Sequence, residues 1–424
     1  MKKILYLIQC PPFWTKTPPL GLVYLKKYLE KKGVKVKILD LNVLLFKILS
    51  FSKKEWLSLN EKFEKELFFI VEKKFPYLLN NLYQKIKEAD FVGFSLFKRN
   101  LYFSFSLTQK IKEKFPEKRI VFGGPHTFFL KRQNKLDLKN WWVIGEGEIP
   151  LSSILENENK KIYLFEEIEN LDNLPFLDLD PQGINLSFYN QYFPLITSRG
   201  CPYRCKFCSE KELFKKFRYH SPSYMVEQIK FLVNRYNLKY FIFCDSLINY
   251  NHNWLENFCI LVIKNNLNIK WEAQARIDKN LTKELANLIK KSGCYNLFIG
   301  LESGSDKILN LMQKGFDTET ALDFFKKLKK AGLHFEVSLI FGYPQETDAD
   351  FEKTVDFIVK NKKIIPKIAQ VNPFVDYLED FPQDEFPKKE SLEKVKKFLS
   401  VLEENKIRYT KSFINNLVHP QDGN

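Results

Sequence analysis

Three cysteines, Cys201, Cys205 and Cys208, follow one short apolar run across the stretch FPLITSRGCPYRCKFCS. Thiolates are soft ligands that select zinc or iron–sulfur clusters. A structural zinc site needs four closed ligands, normally as two short pairs, and no second Cys/His pair of that kind occurs elsewhere in the chain. Three ligands leave one iron of a cluster open. An open iron accepts a group that is not protein, which is what a reactive cluster requires. On spacing alone, three loop thiols for zinc or for nothing remain the alternative.

The elements that position these thiols are read from periodicity. Strand-like runs at 193–197, 240–244, 270–275, 295–301, 335–341 and 367–371 alternate with helical spacing at 223–236, 253–266, 282–292, 305–312, 318–331 and 349–361. Such alternation over 191–372 predicts a partial (β/α)6 TIM-like barrel, whose sites lie at the carboxyl ends of the strands. The polar residues expected there are Asp245, Arg276, Glu302 with Ser303, and Gly342 with Tyr343, Pro344, Glu346 and Thr347. A structural reading competes for the last group, in which Gly342 and Pro344 make a turn and Glu346 caps a helix beginning near Asp348.

The pattern Cys-x-x-x-Cys-x-aromatic-Cys, with Phe207 as the aromatic, resembles the signature of the radical S-adenosylmethionine (SAM) superfamily. NLFIGLESGS resembles its fourth-strand Gly-x-Glu-Ser-Gly, and FGYPQET its fifth-strand Gly-x-Pro-x-Glu-Thr. The resemblance implies a 4Fe–4S cluster on Cys201, Cys205 and Cys208, with Phe207, Asp245, Arg276, Glu302, Ser303 and Gly342 contacting SAM. A cation such as Arg276 suits the carboxylate of that cofactor, and acceptors such as Glu302 or Asp245 suit its amino group or ribose. It further implies reductive cleavage of SAM to a 5'-deoxyadenosyl radical that takes hydrogen from an unactivated carbon. FCDS departs from the family by placing Ser246 where relatives often carry an acid.

Residues 1–150 read as a doubly wound, Rossmann-like parallel sheet. Strand-like runs at 3–9, 34–39, 89–96, 119–122 and 141–144 alternate with helical segments at 20–32 and 101–115, and 42–88 is helical in spacing, an insertion. From the third strand onward, strand ends are small or polar: Gly93 and Ser95, then Gly123, Gly124, Pro125 and His126, then Gly145, Glu146, Gly147 and Glu148. Glycine there lets a bulky ligand approach the backbone. The order PPLGLVYLKKYL, ADFVGFSLF, IVFGGPHTFF, VIGEGE resembles the cobalamin-binding domain that precedes many radical SAM enzymes. This implies cobalamin contacts from Gly21, Ser95, Gly123, Gly124, Pro125, His126, Gly145, Glu146, Gly147 and Glu148. Residues 9–21 lack the histidine of Asp-x-His-x-x-Gly, so cobalamin would sit without that lower ligand; a domain that holds no cofactor is the competing reading.

Residues 151–190 are expected to be a linker: after a helix at 150–156, the acidic, proline-bearing stretch 166–181 reads as an ordered connection whose carboxylates are solvated. Residues 373–424 form a short extension with a helix at 391–404 and a strand around 407–410; His419 is not expected to be a ligand. Cys10 is expected to end the first strand, Cys259 to lie at core spacing on a helix, Cys294 to precede a barrel strand at the end away from the site, and Cys244 to pack against the helices if Asp245 points inward. None makes a second cluster, unlike the methylthiotransferases of the superfamily.

The net charge of +16 is spread over helical faces without an aromatic–basic strip, so nucleic acid is not expected as a partner. MKKILYLIQC reads as a buried strand instead of a lipoprotein signal, and no run approaches the roughly 20 apolar residues of a membrane span. Seven cysteines without a disulfide framework, and an oxygen-sensitive cluster, point to the reducing cytoplasm. The expected activity is cobalamin-dependent methylation of an unactivated carbon on a small-molecule or biosynthetic-intermediate substrate, with a reducing partner such as flavodoxin or ferredoxin. Cyclisation or rearrangement, radical chemistry with an empty first domain, and a non-catalytic iron–sulfur or cobalamin-binding protein are the alternatives.

Overall fold

The computed structural model describes residues 3–52, 56, 61–156, 160–178, 188–189, 192–376 and 388–410. His419 and the Asp180-Pro181 step of the connector lie outside them. The chain divides into two compact units, Met1–Pro194 with Leu213–Arg218, and Leu195–Glu212 with Tyr219–Asn424.

In the first unit, β1 (Ile4–Gln9), β2 (Lys35–Asp40), β3 (Phe91–Ser95), β4 (Arg119–Gly123), β5 (Trp141–Ile144) and β6 (Ile162–Leu164) form a parallel sheet ordered β2-β1-β3-β4-β5-β6. Near-continuous Leu, Ile, Val and Phe in β1, β3 and β4 is what a sheet covered on both faces demands. After β1 the chain winds to β2 on one side and later returns on the other as β3. The β1/β3 junction is thus the topological switch point where such sheets open a ligand crevice. Helices Leu41–Ile48, Glu61–Lys74 and Pro76–Lys87 fill the stretch between β2 and β3. Fully buried Asn42 ties this insertion to the loop after β1: its Oδ1 accepts from Phe13 N at 2.8 Å and from Trp56 Nε1 at 2.9 Å.

The connector differs from its expectation. Ile162–Leu164 is the sixth strand, hydrogen-bonded beside β5, and Leu171, Leu174 and Leu177 are buried. Three residues are too few to display a period. The acids are not all solvated: Arg218 lies 2.5 Å from Glu146 and 3.4 Å from Glu167, and all three side chains are at most 7% exposed.

In the second unit a sheet is ordered β14-β13-β12-β11-β10-β7, from β7 (Phe193–Leu195, which begins in the last residues of the first unit), β10 (Tyr240–Phe243), β11 (Lys270–Ala275), β12 (Cys294–Glu302), β13 (Phe335–Phe341) and β14 (Ile368–Pro373). The two-residue strands β8 (Ser198–Arg199) and β9 (Arg218–Tyr219) pair separately. Sequential neighbours with helices between them give the open six-unit barrel. The helices start where side chains supply acceptors for free N–H groups: Ser221 caps Tyr224 N, Asn251 caps Trp254 N and Thr282 caps Leu285 N, each worth about 1 kcal/mol. Phe243, Phe258 and Trp271 pack edge-to-face in the core between sheet and helices.

Two local expectations need correction. Thr347, not Glu346, caps helix Asp348–Lys360, in a reciprocal box with Asp350. Cys244 is exposed, lying past the end of β10 where strand alternation no longer applies. Around 407–410 there is only a parallel bridge of Tyr409 to Ile368.

Candidate active site

Cys201, Cys205 and Cys208 share the loop that leaves β8. Cys208 N donates to Cys205 O at 3.2 Å, closing a turn, and Lys206 N donates to Met312 O at 3.1 Å, tying the loop to the segment after β12. The loop is also fastened to the end of β11. The Arg276 guanidinium stacks 4.0 Å from the Tyr203 ring centre, and its Nη1 donates to Cys205 Sγ at 3.3 Å.

Burial first, with smaller contributions from neighbouring Cys205 and Glu210, raises the Cys201 thiol; burial first, then Glu210 and the other two sulfurs, pushes Cys208 up to about 11. Among the described residues, no three His, Cys, Asp or Glu groups converge tightly enough to hold one metal ion. Three soft donors without a fourth fall short of a closed structural zinc site and match a cluster that takes one thiolate on each of three irons. A cationic metal centre would reverse the sulfur–sulfur repulsion and deprotonate the thiols.

The carboxylate opposite is Glu302, at the end of β12. Its φ of +69° lies in the left-handed region, a strained setting for a residue with a Cβ and one that clusters at functional sites. Lys314 Nζ lies 3.2 Å from Oε1 and Ser338 Oγ donates to Oε2 at 3.2 Å. Lys314, only 5% exposed, also sits 5.7 Å from the centre of the Phe207 ring and 5.6 Å from that of Phe316. A buried ammonium between two rings and a carboxylate is held by both.

The rest of Gly-x-Glu-Ser-Gly-Ser is architecture. A Cβ on Gly300 would collide with the folded-back Glu302 carboxylate, and one on Gly304 would lie 2.7 Å from Thr354 Cα. Ser303, with no exposure, shares its hydroxyl with Thr354 at 3.1 Å, and Ser305 Oγ donates to Asp350 at 2.9 Å. The Glu302 carboxylate is itself held, by Lys314 and Ser338.

Other expected contacts are committed through one oxygen only: Asp245 Oδ2 and Glu346 Oε1 are buried without a hydrogen-bond partner. Asp245 is 2% exposed, and its Oδ1 accepts from Thr197 N at 2.8 Å, Thr197 Oγ1 at 3.0 Å, Ser198 Oγ at 2.8 Å and also Ser198 N. It anchors the strand leading to Cys201, while burial, outweighing these donors, pushes its acid up to about 6. Gly342 receives Ser391 of helix Lys389–Glu404 at a distance no Cβ would allow, and its N–H donates to Glu346 Oε2 at 2.7 Å. Glu346 pairs with Lys394 of that helix at 3.1 Å. The fifth-strand motif is thus a socket for the carboxyl-terminal helix.

Sequence reasoning missed Lys314, Tyr203, Phe316 and Lys394. A lysine before a glycine in MQKGF was the available signal for the first; nothing local marks the others.

In the first unit, the expected cofactor residues divide by role. Gly124, φ +96°, brings the β3 and β4 ends together: a Cβ there would lie 2.7 Å from Leu96 N and O, His126 N donates to Leu96 O, and Leu96 N donates to Gly123 O. Gly147 makes room for Leu25, whose Cδ2 would be 2.9 Å from a Cβ, and Glu146 faces Arg218. By contrast a Cβ on Gly21 meets nothing within 4 Å, and one on Gly123 only Val143 at 3.9 Å. Ser95 and Pro125 also lie at strand ends, as do Gly145, φ +101°, and buried Glu148. Burial, with Lys98 nearby, pushes His126 down to about 4, so it is neutral at physiological pH.

Residues 195–358 match the family model of the radical SAM superfamily. The chain is 27% identical over 370 residues to an uncharacterized methyltransferase of Pyrococcus horikoshii, covering 82% of this chain and 74% of that relative. Its fold is similar to that of OxsB, a cobalamin-dependent S-adenosylmethionine radical enzyme solved with aqua-cobalamin and S-adenosylmethionine bound, with TM-score 0.69 at 18% identity over 96% of this chain. This chain spans 56% of that protein's length. It is also similar to TsrM of Kitasatospora setae, a radical S-adenosylmethionine methyltransferase solved with cobalamin and a [4Fe-4S] cluster, with TM-score 0.67 at 15% identity, covering 88% of this chain and 75% of that one. The chain has the two-unit α/β fold of cobalamin-dependent radical SAM enzymes.

Proposed function

We propose that this chain is a cobalamin-dependent radical SAM enzyme that methylates an unactivated carbon of a small-molecule or biosynthetic-intermediate substrate. The observation that carries the reading is the barrel-rim constellation: a three-cysteine loop fastened by Arg276 to β11 through Cys205, and a strained carboxylate, Glu302, held by buried Lys314, whose ammonium also lies over the Phe207 ring of that loop. When bound, the cluster and SAM supply the carbon radical and cobalamin the methyl group.

The chain's own residues bind, orient and exclude water. Cys201, Cys205 and Cys208 would each hold one iron of the cluster. Arg276 presents a planar cation to the carboxylate of SAM, and Glu302 an acceptor to its ammonium. Lys314 and Ser338 hold the Glu302 carboxylate in place. Phe207 packs with Ile308, Met312, Tyr343 and Ile340, an apolar wall that keeps the reacting region dry. In the first unit, Gly21 and Gly123 leave the room a corrin requires. The relatives' names, two of them methyltransferases, favour methyl transfer over cyclisation.

A reducing protein such as flavodoxin or ferredoxin is the electron source this reading requires, and the cytoplasm the compartment. No helix among the described residues is long and apolar enough to cross a membrane.

Anaerobic reconstitution followed by assay of 5'-deoxyadenosine tests the radical step; the reading fails if the wild type forms no more than Cys205→Ala. Loading with hydroxocobalamin, then a visible spectrum after gel filtration, tests the first unit, and a colourless, folded protein counts against it. With methyl-labelled SAM and substrate candidates, label in the product separates methylation from cyclisation.

A further inference from the structure

Gln9 ends β1 at the β1/β3 switch point, and is 1% exposed. Its Nε2 donates to Cys10 O at 3.2 Å, whereas its Oε1 has no hydrogen-bond partner. Flipping the amide does not help, because it sets oxygen against the Cys10 carbonyl and strands the NH2 group instead. Buried side-chain acceptors are rarely left bare, and one at a ligand crevice asks what donor completes it.

The surroundings are already satisfied and rigid. The register Ile8 to Phe94 sets Gln9 beside Ser95. Asn100, itself fully buried, donates from Nδ2 to Ser95 O at 2.9 Å and Cys10 O at 3.3 Å, clamping both strand ends. Past the loop, the absent side chain of Gly21 leaves open space.

The sign of the unmet group narrows the ligand. A bare acceptor repels phosphate, so nucleotide or flavin phosphates, which seek N–H donors, fit poorly. A buried neutral amide oxygen selects a neutral donor, and the rim of a corrin carries carboxamide N–H groups.

We propose that Gln9 is a recognition residue for the corrin, its Oε1 accepting a hydrogen bond from a peripheral carboxamide N–H. This rests on the cobalamin reading above and adds to it a residue and the ligand group it meets.

The test is equilibrium binding of hydroxocobalamin to the full chain, followed by absorbance, for wild type and Gln9→Met, with thermal melts taken without cobalamin. Methionine keeps length and volume but lacks the strong acceptor. The expected result is binding about three- to tenfold weaker in Gln9→Met, with a melting temperature unchanged or higher. Equal affinities overturn the assignment to Gln9 while leaving the cobalamin reading intact; a wild type that binds no cobalamin removes that reading itself. A lowered melting temperature with unchanged affinity shows a purely structural amide and also overturns it. A ligand-side measurement avoids any folding defect: the isomeric hydroxocobalamins with one peripheral carboxamide hydrolysed to carboxylate are compared on wild type. One isomer is expected to bind at least about tenfold more weakly than the rest, because a buried acceptor facing a carboxylate is repelled. Uniform binding of all isomers overturns the proposal.

Discussion

The two units make their ligand surfaces in opposite ways. At the barrel rim the residues are charged and held by ion pairs and rings: Arg276 on Tyr203 and Cys205, Lys314 on Glu302. At the sheet crevice of the first unit the charges turn away, Glu146 to Arg218, and what remains is glycine space and one neutral bare acceptor. A zwitterionic sulfonium cofactor calls for the first construction and a neutral, amide-rimmed macrocycle for the second. The contrast teaches that charge placement distinguishes two ligand sites on similarly parallel sheets.

The largest effect that tests this contrast is on the barrel side. Cys205→Ala should reduce cluster iron, visible absorption and 5'-deoxyadenosine formation to background while leaving hydroxocobalamin binding in place. If corrin binding vanishes with the cluster, the two sites are not independent.

Next comes Arg218→Met, which leaves Glu146 and Glu167 buried without their cation. It should cost about 3–5 kcal/mol in chemical denaturation, and a loss under 1 kcal/mol would mean that this pair does not organise the first unit.

Glu302→Gln should weaken SAM binding about 10–100-fold, the value of a charge-assisted hydrogen bond, as measured by calorimetry on the cluster-loaded protein. A double-mutant cycle with Lys314→Met should show coupling of about 1–3 kcal/mol; additivity would detach Lys314 from Glu302.

Asp245 yields a pH signature. Its acid is pushed from 3.8 to about 6, so the folded state binds the proton more tightly than the unfolded chain. Stability from this group is therefore full below pH 3.8 and lost as pH rises through about 6. Asp245→Asn should remove that slope and be about 1–3 kcal/mol more stable than wild type at pH 8, read from urea curves across pH; parallel profiles would refute the shifted acid.

The smallest effect belongs to Gly21→Ala. In a helix with open space around the new methyl, it should stabilise the cofactor-free chain by about 0.5–1 kcal/mol, yet weaken cobalamin binding. Unchanged binding would place the corrin away from this helix.

Much of this was legible in the chain. The cysteine triplet is local, and so are Gly300, Glu302 and Gly304, each within four residues of its nearest motif neighbour. The barrel order could be read because strands of five to nine residues, such as β11 to β13, expose a period. β6 could not, with only three residues. Within the site, motif membership overstated function. Ser303 and Gly342 sit in ligand-like motifs but serve Thr354 and Ser391, partners that no spacing rule identifies.

The amino-acid sequence alone determined the thiol donor set, the two alternating α/β halves and the family they resemble, because each depends on residue types at short separations. Tertiary structure alone decided which polar residues remain available. Asp245 Oδ1 is taken by Thr197 and Ser198 while its Oδ2 stays bare, Glu346 Oε2 is taken by Gly342 and Lys394 while its Oε1 stays bare, and both oxygens of strained Glu302 are held, by Lys314 and Ser338. The physical reason is that a buried polar group is defined by whether its hydrogen bonds are already met, and those partners arrive from distant parts of the chain only when it folds.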